Sequence, residues 1–386
     1  MHRDELTEKL KKTVLDGLDI SCEPTDDALL YGIDEALRRE RELPVREKLS
    51  LRKELFDSFR RLDVLQTLID DADVTEIMVN GSKNIFYEKG GILDRWDRSF
   101  SGQEKLEDVI QQIVAGVNRR VNTASPIVDA RLVDGSRVNV VLPPVAPDGP
   151  IVTIRRFSRE PMTLERLVRL ESLTDEAADF LTARVRAGSN IFISGGTGSG
   201  KTTFLNALSG AIPEGERVIT IEDSLELQLT IPNLVRLEAR NENSEGEGRI
   251  TIRDLIRTAL RMRPDRLIVG EVRGGETLDM LQAMNTGHDG SLSTGHGNSA
   301  ADMLSRLETM VLMGGELPLY AVRGQIASAL DIMLHLARLK DGSRKVMSVH
   351  EVLGYEGDGI RLKELFVRND GILEKRGEYT GKKRRN

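Results

Sequence analysis

The chain has 386 residues, 39% of them hydrophobic and 30% charged, with a net charge of −7. This composition excludes a disordered chain and leaves room for two or three cored domains. No apolar run approaches the roughly 18 to 20 residues that cross a bilayer, so any membrane contact is expected to be peripheral or through partners. Met1-His2-Arg3-Asp4-Glu5 leads into a charged segment rather than a signal-peptide core, and cytoplasmic placement is expected. One cysteine, Cys22, permits neither an intramolecular disulfide nor a cysteine zinc site. The acidic total and 4% aromatic content speak against nucleic acid as the main partner.

Residues 1–60 read as a charged helical leader; Leu51, Leu55 and Phe59 recur at helical spacing. Residues 61–158 read as a small α+β domain. Strands are expected at 76–80 and 84–88, then the turn Gly90-Gly91. A helix follows with Leu106, Val109, Ile110, Ile113, Val114 and Val117 on one face. Residues 128–132 and 137–141 form a hairpin over Asp134-Gly135, and 151–155 is a further strand. Residues 159–172, with Pro161 and several charges, read as a linker, in part helical. From residue 173 to 386 strands alternate with helices, which predicts a parallel α/β sheet.

The strand Asn190-Ile191-Phe192-Ile193-Ser194 runs into Gly195-Gly196-Thr197-Gly198-Ser199-Gly200-Lys201-Thr202, a complete phosphate-loop spacing, with a helix opening at Thr203. Glycines let backbone N–H groups converge on phosphate oxygens, and the helix N-terminus adds positive potential. Gly196, Thr197, Gly198, Ser199, Gly200, Lys201, Thr202 and Thr203 are therefore the candidate nucleotide contacts, with the Thr202 hydroxyl as a Mg²⁺ ligand. A strand at 217–221 ends in Glu222-Asp223-Ser224-Leu225-Glu226, acids placed where α/β sheets bind ligands. Glu222 is a second candidate for Mg²⁺, and Glu226 for acting on water.

A third strand, Arg266-Leu267-Ile268-Val269, is followed by Gly270 where phosphate-loop enzymes usually place an acid, and Glu271 comes next. Glu271 is the expected polariser of the attacking water. Asp265, at the strand's other end, reads as structural. Two histidines each follow Thr-Gly, His288 and His296; a metal pair lacks further ligands, and His296 is the better candidate for sensing the γ-phosphate.

The phosphate loop, the acidic 222–226 segment, Val269-Gly270-Glu271-Val272-Arg273 and the Thr-Gly-His segment together resemble the four boxes of the secretion ATPase superfamily of type II secretion, type IV secretion and type IV pili. Residues 73–81, 134–139, 251–255 and 325–331 are similar to the CpaF branch, which serves Tad/Flp pili. The resemblance spans roughly residues 60 to 370. It implies a RecA-like phosphate-loop ATPase domain preceded by the small α+β domain, ATP between them, and a homohexameric ring acting on an inner-membrane platform protein; from the acidic, aromatic-poor composition no stable nucleic acid is expected. By motif position it assigns Arg137 and Arg155 to the phosphates, with Arg156 as the alternative to Arg155. Arg240, Arg261 and Arg263 are candidates for acting across a subunit boundary. The polar loop 240–248 and Gly297 after His296 depart from the family pattern, and a four-cysteine zinc module is absent, which fits the CpaF or type IV secretion branches. The competing readings are a type IV secretion traffic ATPase, a RecA-like nucleic-acid motor, and a nucleotide-gated scaffold without turnover.

Overall fold

The computed structural model describes residues 3–18, 24–116, 120–132, 134–156, 162–240, 242, 247–357 and 359–381. Cys22, Val117, Pro161, part of the polar loop 240–248 and the basic tail Lys382-Lys383-Arg384-Arg385 lie outside them. The chain divides into two compact units, Met1–Arg159 and Glu160–Asn386.

The first unit opens with α1 (Arg3–Gly17), α2 (Asp26–Arg39) and α3 (Val45–Arg60). Their apolar faces share one small core containing Leu10, Leu29, Ile33, Leu51 and Leu55. Thr25 caps α2 by accepting from the Ala28 amide. A short α4 (Leu65–Asp70) leads into β1 (Val74–Asn80), β2 (Asn84–Lys89), β3 (Ile92–Arg95), α5 (Gln103–Ala115), β4 (Ile127–Arg131), β5 (Arg137–Val141) and β6 (Ile151–Arg155). These strands form an antiparallel sheet in the order β3-β2-β1-β6-β5-β4. Alternation puts Ile77, Val79, Val138, Val140, Val152 and Ile154 on one face, where Leu106, Val109, Ile110, Ile113 and Val114 of α5 cover them. The leader is tied to this body where Lys105 donates to the Ser58 carbonyl at 2.8 Å and Gln112 to that of Arg60 at 3.1 Å. Strand β3, exposed along its length, follows the Gly90-Gly91 turn and was not anticipated from the sequence.

The second unit contains α6 (Leu164–Arg169), α7 (Asp175–Arg186), β7 (Ile191–Gly195), α8 (Lys201–Ser209), β8 (Val218–Glu222), β9 (Leu234–Glu238), α9 (Ile252–Ala259), β10 (Arg266–Val269), α10 (Glu276–Asn285), β11 (Leu292–His296), α11 (Ala300–Gly314) and α12 (Leu319–Ala329). Four more strands follow: β12 (Ile332–Arg338), β13 (Arg344–Glu356), β14 (Gly359–Asn369) and β15 (Ile372–Lys375). One sheet runs β15-β14-β13-β12-β7-β11-β10-β8-β9. From β12 to β9 every pairing is parallel, and β13 to β15 add an antiparallel edge. The central strands are buried on both faces, as a parallel sheet requires. Ile191 and Ile193 face a core shared with α6, α7 and α8, whereas Phe192 faces one shared with α9 to α12. Leu164 and Leu167, from the segment read as a linker, are buried in the first of these cores. Among the described residues no helix is long and apolar enough to cross a membrane.

Candidate active site

Parallel pairing sends the ends of β7, β11, β10 and β8 to one edge of the sheet, where α/β folds bind ligands. The register sets Gly195 beside His296. It also sets Val269 beside Ile221, with the Gly270 amide donating to the Ile221 carbonyl at 2.8 Å, so Glu222 leaves the sheet beside Gly270 and Glu271 follows one residue further along the same edge.

The phosphate loop fills the gap between β7 and α8. Gly195 has no room for a side chain: an added Cβ would lie 2.5 Å from Ser199 Oγ and 2.6 Å from the Leu336 carbonyl. Gly200, at φ +88°, turns the chain into α8 through a left-handed conformation that favours glycine. Ser199 folds inward, its hydroxyl donating to the Gly196 carbonyl at 2.8 Å. Gly196, Thr197, Gly198 and Thr203 are exposed, and Gly200 and Thr202 half-buried.

Lys201 is buried, only 7% exposed, and its ammonium is satisfied three times. It donates to the carbonyls of Gly195 and Gly196, both at 3.1 Å, and to His296 Nδ1 at 3.2 Å. Burial holds its pKa below the ordinary lysine value, and the Glu271 carboxylate opposes that shift. His296 Nε2 lies 3.0 Å from Glu271 Oε1. An ammonium has only protons to give, so Nδ1 accepts and Nε2–H donates to Glu271. The imidazole is therefore neutral, consistent with a pKa pushed down chiefly by burial. Glu271 also accepts from Arg273 Nε at 3.1 Å and Nη2 at 3.3 Å. Arg273 Nη1 lies 3.4 Å from Asp223 Oδ2.

Glu222 is 3% exposed. Its Oε2 accepts from the amides of Glu226 at 2.7 Å and Leu227 at 2.9 Å, which shapes the acidic turn. Its Oε1 is buried with no hydrogen-bond partner among the described residues, and burial pushes the carboxyl pKa up. An added Cβ on Gly270 would lie 3.1 Å from Glu222 Cγ, so the missing acid at position 270 makes room for the Glu222 side chain. Glu226 is half-buried, and its charge joins that of Glu271 in opposing the lowered pKa of Lys201. No group of three or more His, Cys, Asp or Glu among the described residues could hold a metal alone. The Thr202 hydroxyl and the orphaned Glu222 oxygen nevertheless fit a Mg²⁺ held mainly by phosphate oxygens, as hard-cation chemistry allows.

The other predicted residues separate. In the first unit Arg137 pairs across the sheet with Arg155, and Arg155 with Glu76, so all three share the face opposite α5. Arg155 Nε is 3.1 Å from Glu76 Oε1. The guanidinium of Arg156 is spent on the carbonyls of Leu68, Asp71 and Val74, a structural role that leaves Arg155 as the exposed cation. Arg240, Arg261 and Arg263 lie exposed on the second unit. His288 Nδ1 contacts the Ala283 carbonyl at 3.2 Å, and Asp265 accepts from the Arg217 amide at 2.6 Å.

Sequence reasoning missed Arg273 as a partner of Glu271, although it stands only two residues further along the chain. It also missed Arg344, whose Nε donates to the Gly198 carbonyl at 3.0 Å. The Asp341-Gly342 turn between Arg338 and Arg344 is the signal that could have found that hairpin.

Residues 60–372 match the family described as type II/IV secretion system protein. The chain belongs to this family. It is 35% identical over 300 residues to a putative conjugal transfer protein of Mycobacterium tuberculosis, covering 76% of this chain and 85% of that one. It is also 35% identical over 307 residues to the type IV secretion system protein PtlH of Bordetella pertussis, covering 72% and 89%. The Legionella pneumophila ATPase DotB shares the fold: TM-score 0.53, 22% identity, 73% of this chain and 78% of that one. As a member of this family with its phosphate loop and its strand-end glutamate in place, the chain is an ATP hydrolase.

Proposed function

We propose that this protein is a mechanochemical motor that powers a type II/IV secretion or pilus machine. The observation that carries the reading is the chain Lys201–His296–Glu271–Arg273 beside the phosphate loop. It sets a general base and a phosphate ligand in one hydrogen-bonded unit. Arriving phosphate draws Lys201 from the Gly195 and Gly196 carbonyls, and loop amides at residues 196–203 bind its oxygens. Thr202 and Glu222 would hold Mg²⁺, which neutralises charge developing on the phosphates. Glu271 polarises water, with Glu226 the second acid at the site. His296 reports the position of Lys201 to Glu271 through its two ring nitrogens. Arg137 and Arg155 serve the phosphates, as the family resemblance implies. The working assembly is a homohexamer acting on a membrane platform protein.

The motifs at 73–81, 134–139, 251–255 and 325–331 favour a Tad/Flp pilus. A type IV secretion traffic ATPase is the second reading, favoured by relatives described as conjugal transfer and type IV secretion proteins.

The test is steady-state ATP hydrolysis with mass measured alongside. Glu271→Gln should bind nucleotide and lose roughly two or more orders of magnitude in turnover. Equal rates would remove Glu271 from the mechanism, and a wild-type protein without turnover would remove the motor.

A further inference from the structure

Strands β7 and β12 run parallel, with Leu336 beside Gly195. There β7 ends and becomes the phosphate loop, but β12 continues for two residues to Arg338 and turns back, pairing Arg338 with Arg344. The tip is fixed by its own bonds. Leu339 donates to the Ser343 carbonyl at 2.8 Å, and Ser343 donates through amide and hydroxyl to Asp341 Oδ1 at 2.9 and 2.7 Å. At its base the Arg344 carbonyl accepts from the Ser172 hydroxyl at 2.5 Å. A rigid hairpin thus stands against the loop.

Two guanidinium groups project from it. Arg344 Nε donates to the Gly198 carbonyl at 3.0 Å, and Arg344 Cδ lies 3.1 Å from the place a Cβ on Gly200 would take. Arg338 Nη1 lies 3.7 Å from the corresponding place on Gly198. Arg338 is exposed and has no hydrogen-bond or ion-pair partner among the described residues. Like charges directly opposed across two strands disfavour one another, and the tip carboxylate, Asp341, is bonded to Ser343. An anion would relieve the pair, and the adjoining loop is built to hold one.

We infer that this hairpin is a further wall of the nucleotide site: Arg338 binds the nucleotide's phosphates, and Arg344 is a positioning residue that holds the loop through Gly198. The inference rests on the nucleotide reading given above. It is tested with the full chain by titrating a fluorescent ADP and measuring thermal midpoints without nucleotide. Arg338→Ala should weaken binding about five- to tenfold, the range of a charge-assisted hydrogen bond, with an unchanged midpoint. Arg338→Lys should recover part of the loss. Lys340→Ala, which removes an exposed charge from the same tip, should stay within about twofold. Arg344→Ala should raise the KM for ATP more than it lowers kcat, again without a change in midpoint. Wild-type affinity in Arg338→Ala, or equal losses in Arg338→Ala and Lys340→Ala, would overturn the phosphate contact. An Arg344→Ala loss that tracks a lowered midpoint would overturn the positioning role. Wild-type protein that bound no ADP would instead overturn the nucleotide reading itself.

Discussion

Lys201, His296 and Glu271 can share their protons in one way only. The ammonium donates to Nδ1, so the ring keeps its proton on Nε2 and gives it to the carboxylate. A second ring proton would point at Lys201 and break the chain. The groups facing the ring are Glu271, which favours protonation, and Lys201, Arg273 and Arg306, which oppose it; burial is the largest effect and also opposes it. The neutral form therefore persists somewhat below the ordinary histidine value of about 6.5. ATPase activity should be level near neutrality and fall only at a pH below 6.5, as the ring gains its proton. In His296→Gln, where the amide can both accept and donate, that acid limb should vanish while some turnover remains. Profiles of kcat/KM against pH for the two proteins decide it: an identical acid limb in both assigns the limb to another group.

At the scale of elements, the network depends on where α10 begins. Glu276, its first residue, accepts from the amides of Arg273 at 2.6 Å and Gly274 at 2.8 Å, which fixes the segment that carries Arg273. Gly275 just before it packs on the end of α11. An added Cβ would lie 2.8 Å from Gly314 Cα and 3.1 Å from the Met313 carbonyl, backbone atoms that yield only if the helices part. Gly275→Ala should cost about 1–3 kcal/mol, the usual range for overpacking, and should lower kcat more than nucleotide affinity. Gly324→Ala, inside α12 with nothing within 4 Å of its added Cβ, should stabilise by about 0.5–1 kcal/mol. Denaturant midpoints showing both changes neutral would mean that this helix contact carries no strain. Such a contact is invisible in sequence, where Gly275 and Gly314 are 39 residues apart. The phosphate loop, the strand before it, Glu271 and His296 were legible because their chemistry requires local spacing and strand-end placement. The hairpin arginines were not, because β12 is a buried, mostly apolar run that ends in Arg338, and the strands after it carry no chemical motif. Strand β9 escaped notice for the same reason: it is a half-exposed edge without a buried apolar run. The contacts of Arg156 needed the fold, since only there are the three carbonyls that accept from its guanidinium brought together.

At the scale of the whole molecule, titratable groups buried in the second unit set its response to acid. His335 is 9% exposed, with Nδ1 3.0 Å from Ser194 Oγ, and His350 Nδ1 is buried without a hydrogen-bond partner among the described residues. Burial is the first cause lowering both pKa values; Asp302 opposes it at His335, with His350 adding to it, and Glu364 opposes it at His350. With His296, three rings are thus neutral in the folded chain where the unfolded chain would be protonated. Below about 6.5 the unfolded state binds more protons, so stability is full above that value and is lost as pH falls through the lowered folded values. Three such groups set a limiting slope of about 4 kcal/mol per pH unit. Glu222 works the other way: its raised pKa favours the folded state in acid, and it offsets part of the loss at lower pH. Denaturant midpoints of the second unit should be flat between pH 7 and 8 and decline below 6.5. His350→Gln should reduce that decline by up to about a third, since one of the three titrating rings is gone. An unchanged acid slope in this variant would mean that His350 takes up its proton without unfolding, and that its burial in the sheet is not what makes the fold sensitive to acid.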